Sequence, residues 1–531
     1  MAKYSEKYHS YKDKYEAWEY YLDYFSKSGY APMSCCNFCP YGSQCNHEAN
    51  MLLTARPPFN EIEKIEGQDI QYFPIEEVRR DIDIALFNSL RNISWHSIHV
   101  IKCQAGSGKS ETMLRYLRRG CWVDNWCRIY VPTNKLKLEI YSRAVKKGIK
   151  IMMYPSLFDT DIQANIPAEA WDNIQILYNT GRGKKVTEYI EEYLGNHECE
   201  ILEKYLIDKK TADNFEGHII TTHHNLLYSS NEKINRYVNI IDEDLLSTIL
   251  CNHTTISVTD LENTLEMDNV SQNLKVKLKW TLKNIRAGIK FFKLPQMPCK
   301  NDIPNPLFDI SLYSNAETFY SDGKNIYFIN FNDFILNRLI ILSATADKQI
   351  YEWYFGKDRI VFYDCKQSEF KGKLIQYPNM TMSRSYVKNN PGIYDRIESV
   401  LGEIPFISFK GKSRRTNVHM NNCKGHDELK GQDMAVIGTP HFPSWMYELI
   451  VYSMGFNVHD TMRPQVVEHN GYRFKFMTYS NEILRTIQFW LIGTELEQAI
   501  GRARLLNEDC TVHLFSNFPL RQAQLRRWVD I

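Results

Sequence analysis

The stretch Cys103-Gln104-Ala105-Gly106-Ser107-Gly108-Lys109-Ser110 decides how this chain is read. It follows the apolar run Ile98-His99-Val100-Ile101 and precedes a helix-forming segment from Glu111 to Arg118, so the order is strand, glycine-bearing loop, helix start. Such a loop turns backbone N–H groups inward around phosphate oxygens, and the helix N-terminus adds positive potential. In that setting Lys109 reaches the terminal phosphates and Ser110 offers its hydroxyl to Mg²⁺. The pattern G-x-x-x-x-G-K-[ST] has Cys103 at its first glycine position, which leaves Gly106-Ser107-Gly108-Lys109-Ser110 as the matching core.

A phosphate loop needs a second element, an apolar strand ending in carboxylates. Tyr237-Val238-Asn239-Ile240-Ile241-Asp242-Glu243-Asp244 has that form. Asp242 is placed to hold Mg²⁺, directly or through water, and Glu243 to orient or deprotonate an attacking water. Between the two elements, Arg128-Ile129-Tyr130-Val131 runs into the polar turn Pro132-Thr133-Asn134-Lys135, and His218-Ile219-Ile220-Thr221-Thr222-His223-His224-Asn225 is again a strand ending in donors. Helix and strand patterns alternate to about residue 240, the signature of βαβ units and a parallel sheet in an α/β fold. The alternation lapses from about 246 to 330, which reads as an insertion in the first domain. Its basic stretch from Lys275 to Lys290 reads as a solvated face, with contact to a nucleic-acid backbone as the other option. Leu339-Ile340-Ile341-Leu342 then forms another buried strand, ending in Ser343-Ala344-Thr345-Ala346.

At 531 residues the chain is too long for one core, and length alone suggests about three domains. With 64 basic and 63 acidic residues no global field announces a polyanion, so a nucleic-acid groove has to be local. No apolar run approaches the roughly 18 to 20 residues of a membrane span. The charged, tyrosine-rich start is unlike a signal peptide, and a cytoplasmic protein without membrane contact is expected. Tyr11, Tyr15, Trp18, Leu22 and Phe25 fall at helical spacing and predict an amphipathic N-terminal helix. Beyond it, Cys36, Cys39, Cys45 and His47 supply three thiols and an imidazole, the ligand set of tetrahedral Zn²⁺, with Cys35 as an alternative to Cys36. Free thiols, or an iron–sulfur cluster using both Cys35 and Cys36, remain open there.

Taken together, Gly106-Ser107-Gly108-Lys109-Ser110, Pro132-Thr133-Asn134, Thr221-Thr222-His223, Asp242-Glu243-Asp244-Leu245 and Ser343-Ala344-Thr345 resemble motifs I, Ia, Ib, II and III of the superfamily 2 helicases, in order. Downstream, Pro405-Phe406-Ile407-Ser408-Phe409-Lys410 is similar to motif IV, and Lys424-Gly425-His426-Asp427 with Met434-Ala435-Val436-Ile437-Gly438-Thr439-Pro440 to motif V. Gln498-Ala499-Ile500-Gly501-Arg502-Ala503-Arg504 is similar to motif VI, except that Arg504 stands one position earlier than the family's last arginine. The likeness spans roughly residues 75 to 515 and lacks a recognisable glutamine motif. It is to the superfamily broadly, with the replication type of phages, plasmids and other mobile elements as one option.

The resemblance implies two tandem RecA-like domains, 75–347 carrying motifs I to III and 348–531 carrying motifs IV to VI, behind an N-terminal region 1–74 with the helix and metal knuckle. ATP and Mg²⁺ would lie between them, bound by Gly106 through Ser110, Glu111 and Arg504, with Lys109, Asp242, Glu243, Gln498 and Arg502 as the catalytic set. Ser343 and Thr345 would couple the nucleotide side to the strand side. Nucleic acid would be touched by Thr133, Asn134, Thr222, His223, Ser408 and Thr439. The implied partner is single-stranded or duplex nucleic acid, DNA ahead of RNA, together with replication or mobile-element proteins.

Overall fold

The computed structural model describes residues 62–66, 71–94, 96–119, 126–228, 237–299, 303–329 and 338–528. The expected N-terminal helix and the knuckle of Cys35, Cys36, Cys39, Cys45 and His47 lie outside the described residues. Two parallel sheets organise the remainder. The first has seven strands in the order Ile360–Asp364, Ile98–Lys102, Leu339–Ser343, Val238–Asp242, Cys127–Val131, His218–Thr222 and Ile151–Met153, every neighbouring pair parallel. The second has five, Phe406–Ile407, Met434–Ile437, Thr511–Phe515, Lys373–Tyr377 and Gln524–Leu525, also all parallel. With helices on their faces they make a tandem RecA-like α/β architecture.

Central strands of this kind are covered on both sides, so they read as unbroken apolar runs. Leu339, Ile340, Ile341 and Leu342 are fully buried, as are Ile98, Val100 and Ile101 beside them. Each such side chain is worth about 1.5–3 kcal/mol of transfer free energy. In the first sheet the chain passes from Ile98–Lys102 to Cys127–Val131 by skipping two positions, later filled by Leu339–Ser343 and Val238–Asp242. That leaves a crevice at the strand C-termini, where the glycine loop and the Asp-Glu pair emerge.

Three boundaries differ from the sequence reading. The first sheet takes its edge strand from Ile360–Asp364, beyond the boundary expected at 347, because that strand pairs along its whole length with Ile98–Lys102. Glu63–Lys64, assigned to a separate N-terminal region, pairs antiparallel with Tyr472–Thr478 of the second domain. The expected alternation up to residue 240 is interrupted by Thr160–Gln163, Ala168–Asn179, Val186–Asn196 and Glu200–Asp213. These four helices pack around their own core, including Ile174, Ile190 and Leu202.

The insertion forms a four-stranded antiparallel sheet, His253–Ser257, Asn325–Ile329, Thr318–Ser321 and Phe291–Lys293, with the helices Val258–Glu266 and Gln272–Arg286. Its second helix is not the simple solvated face expected, because Lys277 is fully buried. The Lys277 ammonium donates to the carbonyls of Pro295, Ser314 and Ala316 at 3.0, 2.7 and 2.6 Å. It also lies 5.7 Å from the Tyr313 ring centroid and 5.6 Å from that of Phe319. Burial pushes its pKa down to about 8. Lys277→Met keeps the stem but strands the buried carbonyls of Ser314 and Ala316, and should destabilise the insertion by about 3 kcal/mol. Limited proteolysis should then cut within 253–329 earlier than in the wild type.

Candidate active site

The loop after Ile98–Lys102 is shaped by its two glycines. Gly106 has φ +82° and Gly108 φ +101°, conformations that side-chain-bearing residues resist, so the amides can turn inward. Cys103 still belongs to the sheet, donating its N–H to the Ser343 carbonyl at 2.9 Å with its side chain buried. Burial pushes the Cys103 thiol up to about 12, which leaves a neutral core group where the usual glycine stands. The Ser107 hydroxyl donates to the Gln104 carbonyl at 2.6 Å and closes the turn. The helix Lys109–Arg119 starts at once, with Ser110 in its first turn.

Ser110 Oγ donates to Asp242 Oδ2 at 2.8 Å, so the loop and the Asp-Glu strand meet as the sequence reading expected. Asp242 is buried, and burial raises its carboxyl pKa against the lowering pull of Lys109 and the Ser110 hydroxyl. Glu243 follows with φ +76°, a conformation that costs a non-glycine residue about 1–3 kcal/mol, and its N–H is held by the Leu342 carbonyl at 2.9 Å. Asp242 Oδ1 and Glu243 Oε2 are buried without a hydrogen-bond partner. Two unsatisfied carboxylate oxygens beside a serine hydroxyl are hard donors of the kind Mg²⁺ prefers. Among the described residues no cluster of three or more His, Cys, Asp or Glu side chains could hold a metal, so the remaining ligands of such an ion would be water and phosphate oxygens.

The second domain closes over this pair. Arg502 sits in the turn Gly501–Ala503 after the helix Glu482–Ile500, largely buried. Its Nε donates to the Gln498 carbonyl at 3.2 Å and its Nη1 to the His426 carbonyl at 2.8 Å, which aims Nη2 to within 3.9 Å of Glu243 Oε1. Gln498 is half-buried one turn earlier, and its part in this arrangement is its carbonyl. Arg504, at φ +61°, is held by Asp427 Oδ1 at 2.7 Å within its own domain. Burial would raise the Asp427 carboxyl, but the Arg504 guanidinium outweighs it and holds it below the usual carboxylate range.

Several residues assigned from the motifs stand elsewhere. The Glu111 side chain faces outward, bonded to Lys147 at 2.6 Å and Arg143 at 3.0 Å, because the helix turn that directs Ser110 inward directs its neighbour to solvent, which leaves only its backbone amide beside the loop. His223, expected on nucleic acid, is buried and donates from Nε2 to the Asp242 carbonyl at 3.0 Å, and burial pushes its pKa down to about 3. Ser408 is fully buried between the Ile437 carbonyl at 2.6 Å and the Tyr394 hydroxyl at 2.7 Å. Thr439 is likewise internal, donating to the Thr381 carbonyl at 2.7 Å. Each closes a strand end from inside rather than presenting a donor to solvent.

Thr133 and Thr222 accept from the N–H groups of Leu136 at 3.2 Å and Asn225 at 3.4 Å, as caps of the helices that follow. A Cβ on Gly425 would fall 2.3 Å from Thr133 Oγ1, so the second domain's glycine rests directly on that hydroxyl. Asn134 Oδ1 is buried without a partner.

Other groups were missed because nothing local marks them. Asp244 is a hub: its Oδ1 accepts from the Ser247 N–H at 3.0 Å and the Tyr351 hydroxyl at 3.1 Å. Its Oδ2 accepts from the hydroxyls of Ser343 at 3.1 Å and Thr345 at 3.4 Å. From the second domain Lys424 donates to Thr248 Oγ1 at 2.8 Å, Asn507 Nδ2 to the Gly106 carbonyl at 2.9 Å, and Trp490 Nε1 to the Thr345 carbonyl at 2.9 Å. A capping pattern, Asp244-x-x-Ser247, was the one readable signal among them. Beside the glycine loop an interdomain cavity of about 420 Å³ is lined by Gln104, Ala105, Thr345, Trp490, Gly501 and Arg504, among others.

No protein-family model matches the chain, and no curated protein matches it in sequence. Solved structures resemble it in shape. One described as an XPD helicase is 14% identical, covers 83% of this chain and 95% of its own, and aligns with a TM-score of 0.46. The S. tokodaii Xpd4 structure is 13% identical over 85% of this chain and 100% of that one, at a TM-score of 0.45. A DEAD box protein from the hyperthermophile Methanococcus jannaschii is 12% identical over 86% and 93%, at a TM-score of 0.23.

Proposed function

We propose that this chain, which has the two-domain fold of the superfamily 2 helicases, is an ATP-driven nucleic-acid helicase or translocase. The observation that carries the reading is the junction of Ser110 with Asp242 at 2.8 Å, backed by Glu243 and faced by Arg502 from the other domain at 3.9 Å. The glycine loop amides and Lys109 bind the triphosphate, and Ser110 and Asp242 would hold Mg²⁺, which would offset charge on the phosphate oxygens. Glu243 orients or deprotonates the attacking water, and Arg502 stabilises charge on the transferring phosphoryl group. Neither domain has the full set, so hydrolysis depends on closure and its products favour reopening.

Exposed Lys135 and Lys410 stand just past the C-terminal ends of strands Cys127–Val131 and Phe406–Ile407, with Lys412 close by. They offer phosphate contacts on each domain, where Ser408, Thr439 and His223 cannot. Alternate gripping by the two domains would move the protein along a strand. Among the described residues no helix is long and apolar enough to cross a membrane.

The test is ATP hydrolysis measured in parallel with single-stranded DNA, duplex DNA and RNA, together with strand displacement on a tailed duplex. Stimulated turnover with displacement is the expected result. Turnover without displacement would instead favour an ATPase that remodels protein–nucleic-acid complexes. Lys109→Ala should cut hydrolysis by about 10²–10³-fold with folding retained. Undiminished turnover in that variant would mean that the triphosphate binds elsewhere.

A further inference from the structure

We infer that Trp490 is a positioning residue that transmits domain closure to Glu243 through the Thr345 backbone and the Asp244 carboxylate. This rests on the helicase-type reading above. Trp490 is 8% exposed, and its indole N–H crosses the domain interface to the Thr345 carbonyl at 2.9 Å. A buried indole seldom goes without an acceptor, and here the acceptor belongs to the other domain. On the first-domain side the connection is continuous. The Thr345 hydroxyl donates to Asp244 Oδ2, and its N–H donates to Ser343 Oγ at 3.1 Å. Asp244 is anchored from its other oxygen by Tyr351 and the Ser247 amide. The next residue back is Glu243, held at φ +76°. A residue in that conformation has little slack, so a displaced Asp244 moves the Glu243 carboxylate with it.

Trp490 and the Arg502 turn are joined by one helix, Glu482–Ile500. A continuous helix of this length moves as a rod. The same approach that brings Arg502 to 3.9 Å from Glu243 therefore seats Trp490 on Thr345. The arginine delivers charge to the transferring group. The tryptophan sets the carboxylate that addresses water. Two messages from one helix make hydrolysis depend on both domains being correctly placed, which is the condition that nucleic acid bridging the two domains would enforce.

The test uses the full chain and compares wild type, Trp490→Phe, Tyr351→Phe and the double variant. ATPase is measured without nucleic acid and with a saturating single-stranded oligonucleotide, with thermal unfolding in parallel. Trp490→Phe keeps an aromatic ring and removes the N–H. The expected result is Tm and KM for ATP unchanged, with nucleic-acid-stimulated kcat reduced about fivefold, the effect of one lost hydrogen bond, and basal turnover, where the domains are not held together, reduced by less. Tyr351→Phe loosens the same carboxylate and should do likewise, and the double variant should be no worse than either single one, because both act on one relay.

Wild-type stimulation in Trp490→Phe, or single effects that multiply in the double variant, overturns the relay while leaving the proposed function intact. A loss of basal and stimulated turnover together with a lowered Tm marks a packing role and also overturns it. If Trp490→Phe does not fold, an undiminished stimulation in Tyr351→Phe is sufficient to reject the idea. A wild-type chain whose hydrolysis no nucleic acid stimulates rejects both the relay and the function it rests on.

Discussion

Arg502→Ala is expected to lower kcat for ATP hydrolysis by about 10³-fold or more, the range over which an arginine supplied to a transferring phosphoryl group acts. Arg502 is the cation from the second domain that faces Glu243, and its guanidinium is already oriented by the Gln498 and His426 carbonyls. Little of its binding energy has to be spent on ordering during the reaction. Arg502→Lys is the informative control. It keeps a charge but loses the planar fork that bonds a carbonyl while aiming Nη2 across the cleft, so it should fall much nearer to alanine than to wild type. Single-turnover hydrolysis with ATP prebound separates the chemical step from binding. Equal single-turnover rates in wild type and Arg502→Ala would remove the residue from the mechanism.

Asp242→Asn should produce opposite changes in stability and activity. The carboxylate is buried, one oxygen has no partner, and burial holds its pKa above the usual value against the lowering influence of Lys109. A carboxyl whose folded pKa exceeds the unfolded one stabilises the fold most below the unfolded value, and that contribution is lost as pH rises through the folded pKa. At neutral pH the charged form is therefore a cost in the Mg²⁺-free chain. The near-isosteric amide removes it, and Tm without Mg²⁺ should rise. Turnover should drop about a thousandfold, equivalent to about 4 kcal/mol of lost transition-state stabilisation, because an amide is a poor Mg²⁺ ligand. The wild type should gain Tm on adding Mg²⁺ and ATP, and the variant should not. A variant both less stable and fully active would mean that the carboxylate is structural.

The centre of the site was legible in the residue order because its parts are local. Gly106, Gly108 and the helix beginning at Lys109 form a turn whose conformation depends on adjacent residues. Val238 to Asp242 is an apolar strand bounded by its own carboxylates. Arg502 follows the local Gln-x-x-Gly-Arg spacing and lies 3.9 Å from Glu243, whereas the Arg504 side chain binds Asp427. The errors share a cause. The motif resemblance implies ligand contacts for Ser408, Thr439 and His223, yet their hydroxyls and ring are consumed by carbonyls of Ile437, Thr381 and Asp242. A polar residue at a strand end is equally consistent with facing water or closing a buried backbone group, and only the packing above it decides.

Periodicity, turn chemistry and strand-terminal carboxylates, all settled within a few neighbouring residues, were enough to foresee the first parallel sheet, the glycine turn before Lys109 and the apolar strand ending in Asp242 and Glu243, while the second sheet followed from the motif resemblance. Contacts between distant segments settled the remainder. The edge strand at Ile360–Asp364, the burial of Lys277, the Asp244 hub and the reach of Trp490, Asn507 and Lys424 across the cleft are all of this kind. Their energies depend on which surfaces exclude water together, and that is a property of the packed chain rather than of any short run within it.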